Sequence, residues 1–387
     1  AFAVETHLEK VARAIGMESL AYRLKNAWED GDKTCTGQVL DSVSMKECLQ
    51  KAADAIEWDK PRPPGVGKGL STLWWVSGTW GTQTLIKTNE DGSFRLISGC
   101  VDMGTGGMTS SIMQMAAAGL GVTVESIQLV RGDTDTLPWD HGHGGSRMVF
   151  TIGRSAYEAA KNLKQQLLRE GADYLEASVD EVVLEDMKVL VQGDSSRSVA
   201  LSRLCYNRHK KHGGPMIGVS TILDEAPKTT VKHPIGGFPA PSFCAHAVEL
   251  TVDADTGEIT PTRYVAVHDV GKAINPTGCE GQIEGGVAMG LGLALMEELV
   301  EVDGKIQNPS FADYLLLTAE DMPHMTTILV EKPATEGPFG AKGVGEPPIA
   351  PPTSAVANAL AEVVDVDVTR LPLTAQEVCS LIGAKQS

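Results

Sequence analysis

One carboxylate in this 387-residue chain stands in an unusual setting. Glu346 closes the run Gly337, Gly340, Gly343 and Gly345, and Pro347, Pro348, Pro351 and Pro352 follow it. Glycines permit backbone conformations closed to other residues, and prolines stiffen what comes next. A carboxylate between the two is positioned, not merely solvated, and it is the kind of group that serves as a general base. Burial is expected for it.

Three more glycine-bearing junctions lead from sheet or coil into a helix. The first is Val101-Asp102-Met103-Gly104-Thr105-Gly106-Gly107, ahead of a helix starting near residue 108. Its backbone N–H groups can approach a ligand closely, and a helix N-terminus adds partial positive charge. This suits a phosphate or a pterin edge, though taken alone a plain tight turn is the stronger reading. No Gly-Lys-Ser/Thr follows, so it is neither a P-loop nor a dinucleotide fingerprint. The second junction, residues 140–153, sets Gly142, Gly144 and Gly145 among His141, His143, Ser146 and Arg147. A metal held by His141 and His143 would lack a nearby carboxylate or thiol to complete its shell, so a polar loop is the stronger reading. The third, residues 269–299, puts Gly281, Gly285, Gly286, Gly290 and Gly292 in one helix. Each costs roughly 1 kcal/mol against alanine, about 5 kcal/mol together, a large share of a domain's net stability. Close approach of another backbone or of a ligand must offset this. Gln282, expected in the first turn, can present its amide to such a ligand.

The elements that position these junctions are legible as pattern. Residues 4–28 carry apolar side chains at helical spacing (Val11, Ala14, Ile15, Leu20, Leu24), with a break at Gly16. A helix near 44–57 follows, and "KPRPPGVGKG" then reads as a linker, which places a domain boundary near residue 62. Two hairpins turn at Asp91-Gly92 and at Asp255-Thr256-Gly257. Further helices are expected at 109–120, 155–169, 280–297 and 353–363. Strands and helices in mixed order argue an α+β fold, with helices packed on mixed, largely antiparallel sheets. The expected domains are residues 1–62 and 63–387.

Composition narrows the function. With 50 acidic and 33 basic residues the net charge is −17, which repels nucleic acid and anionic membrane surfaces. No run of 18 apolar residues and no secretory signal is present. The chain opens at Ala1 with "AFAVETHLEK", which reads as the interior of a domain. The seven cysteines (35, 48, 100, 205, 244, 279 and 379) form no C-x-x-C or other metal-ligand spacing. An odd count in a large chain argues free thiols, a reducing and hence cytoplasmic setting, and no iron–sulfur cluster of the thiolate type.

Together the junctions resemble the xanthine dehydrogenase and aldehyde oxidase family of molybdenum hydroxylases. "GAKGVGEPP" is the most specific match, then "DVGKAINPTGCEGQIEGG", "VDMGTGG" and "GGSRMVFTIG", and the resemblance spans nearly the whole chain. It implies that residues 1–62 are the tail of a first molybdopterin-binding domain and 63–387 a second, the preceding half of the region being absent. It implies Glu346 as the essential glutamate beside molybdenum, with Val344 and Gly345 at the cofactor. Gln282 matches a glutamine that bonds the pterin, and Met103, Gly104, Thr105, Gly106 and Gly107 match the loop along the pterin and its phosphate. His143, Ser146 and Met148 fall where further cofactor contacts occur, and Trp74 or Trp75 near a substrate-stacking aromatic. The sequence departs from the pattern at Thr105, where glutamine is common, and at His143 and Met148, where hydroxyl residues are.

The resemblance further implies molybdopterin, or its cytosine dinucleotide, holding molybdenum without a protein ligand. Iron–sulfur clusters and FAD are expected on partner chains, together with a companion chain carrying the other half of the molybdopterin region. The implied reaction inserts water-derived oxygen at an electron-poor carbon of an N-heterocycle such as a purine or nicotinate. Aldehyde oxidation and a non-catalytic accessory subunit are the alternatives. A phosphate-binding hydrolase would need a nucleophile elbow or P-loop, and neither is present.

Overall fold

A computed structural model describes residues 1–223 and 237–386. The chain packs as two units: unit 1 is residues 1–76, 241–335 and 344–387, and unit 2 is residues 77–240 and 336–343.

Unit 1 begins with α1 (Phe2–Ala14), α2 (Ser19–Asn26), α3 (Met45–Ala55) and β1 (Val66–Trp75). Unit 2 follows with β2 (Thr82–Thr88), β3 (Phe94–Ser98), α4 (Met113–Leu120), β4 (Ile127–Val130), α5 (Gly153–Leu175), β5 (Val182–Glu185), β6 (Lys188–Val191), β7 (Asp194–Ala200), α6 (Leu201–His212) and β8 (Ile217–Ile222). Unit 1 resumes with β9 (Ser242–Val252), β10 (Ile259–Asp269), α7 (Pro276–Leu295), β11 (Glu301–Val302), β12 (Lys305–Ile306) and β13 (His324–Val330), and ends with α8 (Pro351–Val364) and α9 (Ala375–Gln386).

The main sheet of unit 1 runs β1-β9-β10-β13, antiparallel except for the parallel β10–β13 pair. Strand alternation splits its side chains between two cores. Val248, Leu250, Tyr264 and Ala266 face Ile283, Val287 and Leu291 of α7 and Ala355 and Ala359 of α8. Leu70, Phe243, Ala245, Ala247, Val265 and Val267 face Cys48, Leu49 and Ala52 of α3. The sheet is thus covered on both faces, which explains its nearly continuous apolar strands. Gly67 and Gly69 let α8 lie directly on β1, because a Cβ at either would overlap the carbonyl of Ala359 or Ala355.

The boundary expected near residue 62 does not divide the packing. Arg23 of α2 is buried with Glu5 and Glu9 and donates to the Leu70 carbonyl on β1, so the N-terminal helices are built into unit 1. The span 63–387 is instead shared between both units. "GVGKG" begins β1 and is not linker.

Unit 2 packs α4 and α5 on a sheet of order β4-β3-β2-β8, with a small meander β5-β6-β7 beside it. Both expected hairpins form, as β2–β3 and β9–β10. Gly16 breaks the first helix pair at φ +67°. α5 runs on to Leu175, past the expected end near 169, and α6, α9 and the meander lacked a periodic signal strong enough to read.

Candidate active site

In unit 2, three of the four junctions interlock. The first and second each enter their helix through one π-helical turn, Met108–Ile112 before α4 and Met148–Ile152 before α5. Such wide turns are rare and recur at functional sites. A Cβ on Gly107 would displace the Met148 sulfur, and the Thr105 hydroxyl lies 3.5 Å from that sulfur. His143 Nε2 meets the Val101 carbonyl and lies 3.3 Å from Cys100 Sγ. Burial pushes that thiol up to about 12, with Asp140 adding to the shift, so Cys100 stays protonated. His141 stacks on Trp80 at 4.9 Å, so the two histidines of this loop are turned to separate neighbours.

Arg147 holds the second junction in place. Fully buried, it pairs with Asp140 at 3.1 Å and donates to the carbonyls of Gly142 (2.8 Å), Gly81 (3.1 Å) and Trp80. Ser146 sits beside it in the left-handed region at φ 53°, and the fourth junction presses against Ser146 at Gly343, whose N–H donates to Ser77 Oγ at 3.0 Å.

The expected pterin loop has the shape a polar ligand needs. Gly104 (φ +110°) and Gly106 (φ +69°) open onto free space, and both their N–H groups converge at 3.0 Å on one oxygen of Asp102. In this arrangement Asp102 occupies both N–H groups, so a phosphate-bearing pterin would meet them only with that carboxylate turned away. Met103 and Gly104 are exposed, and Thr105, Gly106 and Gly107 half-buried. Met148 is a core side chain of unit 2, so only its backbone remains to meet a cofactor.

Unit 1 carries the carboxylate. Glu346 caps the short turn Pro347–Ile349 and accepts a hydrogen bond from Trp75 Nε1 at 3.1 Å. It is exposed, contrary to the expected burial, because Gly345 beside it is also exposed and the prolines that follow turn inward instead. Pro347 and Pro348 are buried, and α7 packs on them: a Cβ on Gly286 would lie 2.5 Å from Pro348 Cβ, and one on Gly290 would lie 2.6 Å from the Ile349 carbonyl. Two of the helix glycines therefore clamp the turn that holds Glu346. Val344 packs its side chain into the α7–α8 core.

The tryptophan pair separates by strand alternation. Trp75 shares the α8 face of β1 with Ser71, which bonds Ser354 at 2.8 Å, and reaches Glu346. Trp74 points to the other face, edge-on to Trp28 at 5.7 Å, and belongs to the core there. Gln282 lies in the second turn of α7, not the first, because Asn275 caps the helix and Pro276 begins it. It is half-buried, and Gly281 and Gly285 beside it face open space.

A family model described as molybdopterin cofactor-binding domain matches residues 40–323. The xanthine dehydrogenase molybdenum-binding subunit of Escherichia coli O157:H7 is 32% identical, over 96% of this chain and 50% of its own length. The aldehyde oxidoreductase of Megalodesulfovibrio gigas is 27% identical, over 99% of this chain and 40% of its own. Quinoline 2-oxidoreductase from Pseudomonas putida 86 has the same fold, with a TM-score of 0.85 at 23% identity, covering 98% of this chain and 51% of that one. The chain belongs to the molybdopterin cofactor-binding family of the molybdenum hydroxylases. It spans about half the length of the curated relatives it matches.

Proposed function

We propose that this chain is the C-terminal half of the molybdopterin-binding part of a cytoplasmic molybdenum hydroxylase and that Glu346 is its base. The observation that carries this reading is an exposed carboxylate that is nonetheless held. An indole N–H fixes one oxygen, and a proline turn clamped by α7 fixes the backbone. Molybdopterin, when bound, supplies the two-electron redox chemistry. The rest falls to the chain. Met103 through Gly107 line the pterin and its phosphate, and His143 and Ser146 close that loop from the second junction. Gln282 offers its amide, Val344 and Gly345 set the backbone approach to the cofactor, and Glu346 takes the proton from the attacking oxygen. Trp75 orients Glu346 and offers a ring face to an aromatic substrate.

Glu346→Gln preserves size but removes basicity. Turnover should fall by at least about 10²-fold, within the range for general-base catalysis, while molybdenum content stays near that of the parent. Full molybdenum with near-normal turnover would remove Glu346 from the mechanism.

The substrate we favour is an N-heterocycle, on the strength of "GAKGVGEPP" and of the Escherichia coli relative named for xanthine. The Megalodesulfovibrio gigas relative is named for aldehydes and supports the alternative. Turnover of purines, pyridine carboxylates and aldehydes with an artificial acceptor separates them, and activity confined to aldehydes would reverse the preference. We also assign iron–sulfur and FAD groups to partner chains and the other half of the molybdopterin region to a companion chain. The cytosine dinucleotide form of the cofactor is the alternative to plain molybdopterin.

A further inference from the structure

A second constellation lies wholly within unit 1 and plays no part in the chemistry above. Cys244 and His246 on β9 and His268 on β10 are all buried, and their donor atoms lie within 4.8 Å of one another. His246 Nε2 is 2.7 Å from His268 Nε2, and its Nδ1 is 2.8 Å from the Tyr264 hydroxyl. The backbone N–H of Leu73 reaches the Cys244 sulfur. Imidazoles that bind metals use their second nitrogen for an outer hydrogen bond, and such outer partners set ligand orientation and affinity. Two of the three donors here already have such a partner.

Hydrogen bonding between the rings explains the pair of histidines but gives the thiol no part. The 2.7 Å spacing is a hydrogen-bond length. In a three-coordinate site with angles near 120°, metal–nitrogen bonds of about 2.0–2.1 Å would set the nitrogens roughly 3.5–3.6 Å apart. Loading therefore spreads the ring nitrogens by about 0.8–0.9 Å, within reach of side-chain rotations. Charge selects the cation. The three donors include no carboxylate, and their neighbours Val248 and Ala266 are apolar core residues. A divalent ion with one thiolate and two neutral imidazoles would leave a net positive charge in that core, which is costly. A monovalent ion leaves none, and soft thiolate ligands favour Cu(I).

We propose that Cys244, His246 and His268 form a buried three-coordinate site for Cu(I). The Cys244 S–H bond breaks and its proton leaves to solvent as the S–Cu bond forms. The proton shared between the two Nε2 atoms moves to Nδ1 of its own ring, so both rings bind neutral. One proton is released per ion and no electron is transferred.

The test uses the complex purified with its partner chains, this chain carrying Cys35→Ser and Cys379→Ser to remove its exposed thiols, and counts copper over that of the same complex with Cys244→Ser. Anaerobic Cu(I) titration against bicinchoninate should show one equivalent retained, with one proton released. X-ray absorption at the copper edge should show one sulfur and two nitrogens. Cys244→Ser and His268→Gln should each lose the equivalent. Tyr264→Phe keeps all three ligands and should weaken binding by about 10–100-fold. Melting without copper checks each variant's folding, and if a ligand variant unfolds, Tyr264→Phe and the absorption spectrum still decide. No stoichiometric binding, binding unchanged by Tyr264→Phe, a copper spectrum without nitrogen scatterers, or preferential retention of Zn(II) from an equimolar mixture would each overturn the proposal. Glu346→Gln should leave the titration unchanged, so this site and the proposed base stand or fall separately.

Discussion

At the scale of single residues, the indole of Trp75 fixes one oxygen of the exposed Glu346, as the indole of Trp58 does for Glu18. A hydrogen bond to a charged group contributes about 1.5–3 kcal/mol, toward the low end where solvent competes. If that bond sets the orientation of the base, Trp75→Phe should lower kcat by about 10-fold, since 1.4 kcal/mol is a factor of ten in rate. Trp74→Phe, on the opposite face of β1, should lower stability by about 1 kcal/mol through its edge contact with Trp28 and leave kcat unchanged. Steady-state kinetics and denaturant unfolding of the two variants check this. Equal kinetic effects would show that the face of the strand does not matter and that Trp75 does not orient the base.

At the scale of elements, α7 answers the question its composition raises. Its six glycines are costly, and two of them, Gly286 and Gly290, are needed because the Pro347–Pro352 segment lies where their side chains would be. Gly281 and Gly285 have no such neighbour among the described residues. Gly285→Ala should therefore stabilise the chain by roughly 0.5–1 kcal/mol. Gly286→Ala forces Pro348 to move and should destabilise it by about 1–3 kcal/mol. Because Pro348 follows Glu346 by two residues, the same substitution should lower turnover. Urea unfolding compares the pair, and a stabilising Gly286→Ala would show that the close approach is not tight in solution.

At the scale of the whole molecule, the chain exposes large apolar side chains in unit 1. Phe311 is 81% exposed, Leu299 62% and Met289 55%. Among the described residues no helix is long and apolar enough to cross a membrane, so a bilayer-spanning helix does not account for them. They are the kind of surface that the companion chain proposed above would cover. Its interface should be obligate, apolar and above about 2,000 Å². Expressed alone, the chain should aggregate or lack molybdenum, and purified from its source it should co-elute with two or more partners in size-exclusion chromatography. A soluble, molybdenum-loaded, active monomer would defeat this expectation.

The sequence by itself determined the junctions, the two hairpins, the amphipathic helices and the candidate base, because each rests on local chemistry: glycine conformations, turn residues, the 3.6-residue period. What it could not determine is which side chains meet. Glu346 looked buried because its neighbours are glycine and proline, yet the prolines alone turn inward and the carboxylate is left outside. Trp74 and Trp75 were indistinguishable as neighbours and are separated by the face of β1. The Cys244 cluster was hidden by a single residue. Near the Asp255 turn, Thr251 pairs with Thr260, a register that, continued, would set His268 opposite Phe243 on the α3 face. A bulge between Pro261 and Arg263 shifts the pairing by one, so His268 opposes Cys244 and joins His246 on the α7–α8 face. A one-residue slip moves every side chain to the other side of a sheet. Only the packing of α3 on one face and α7 and α8 on the other decides which register is held.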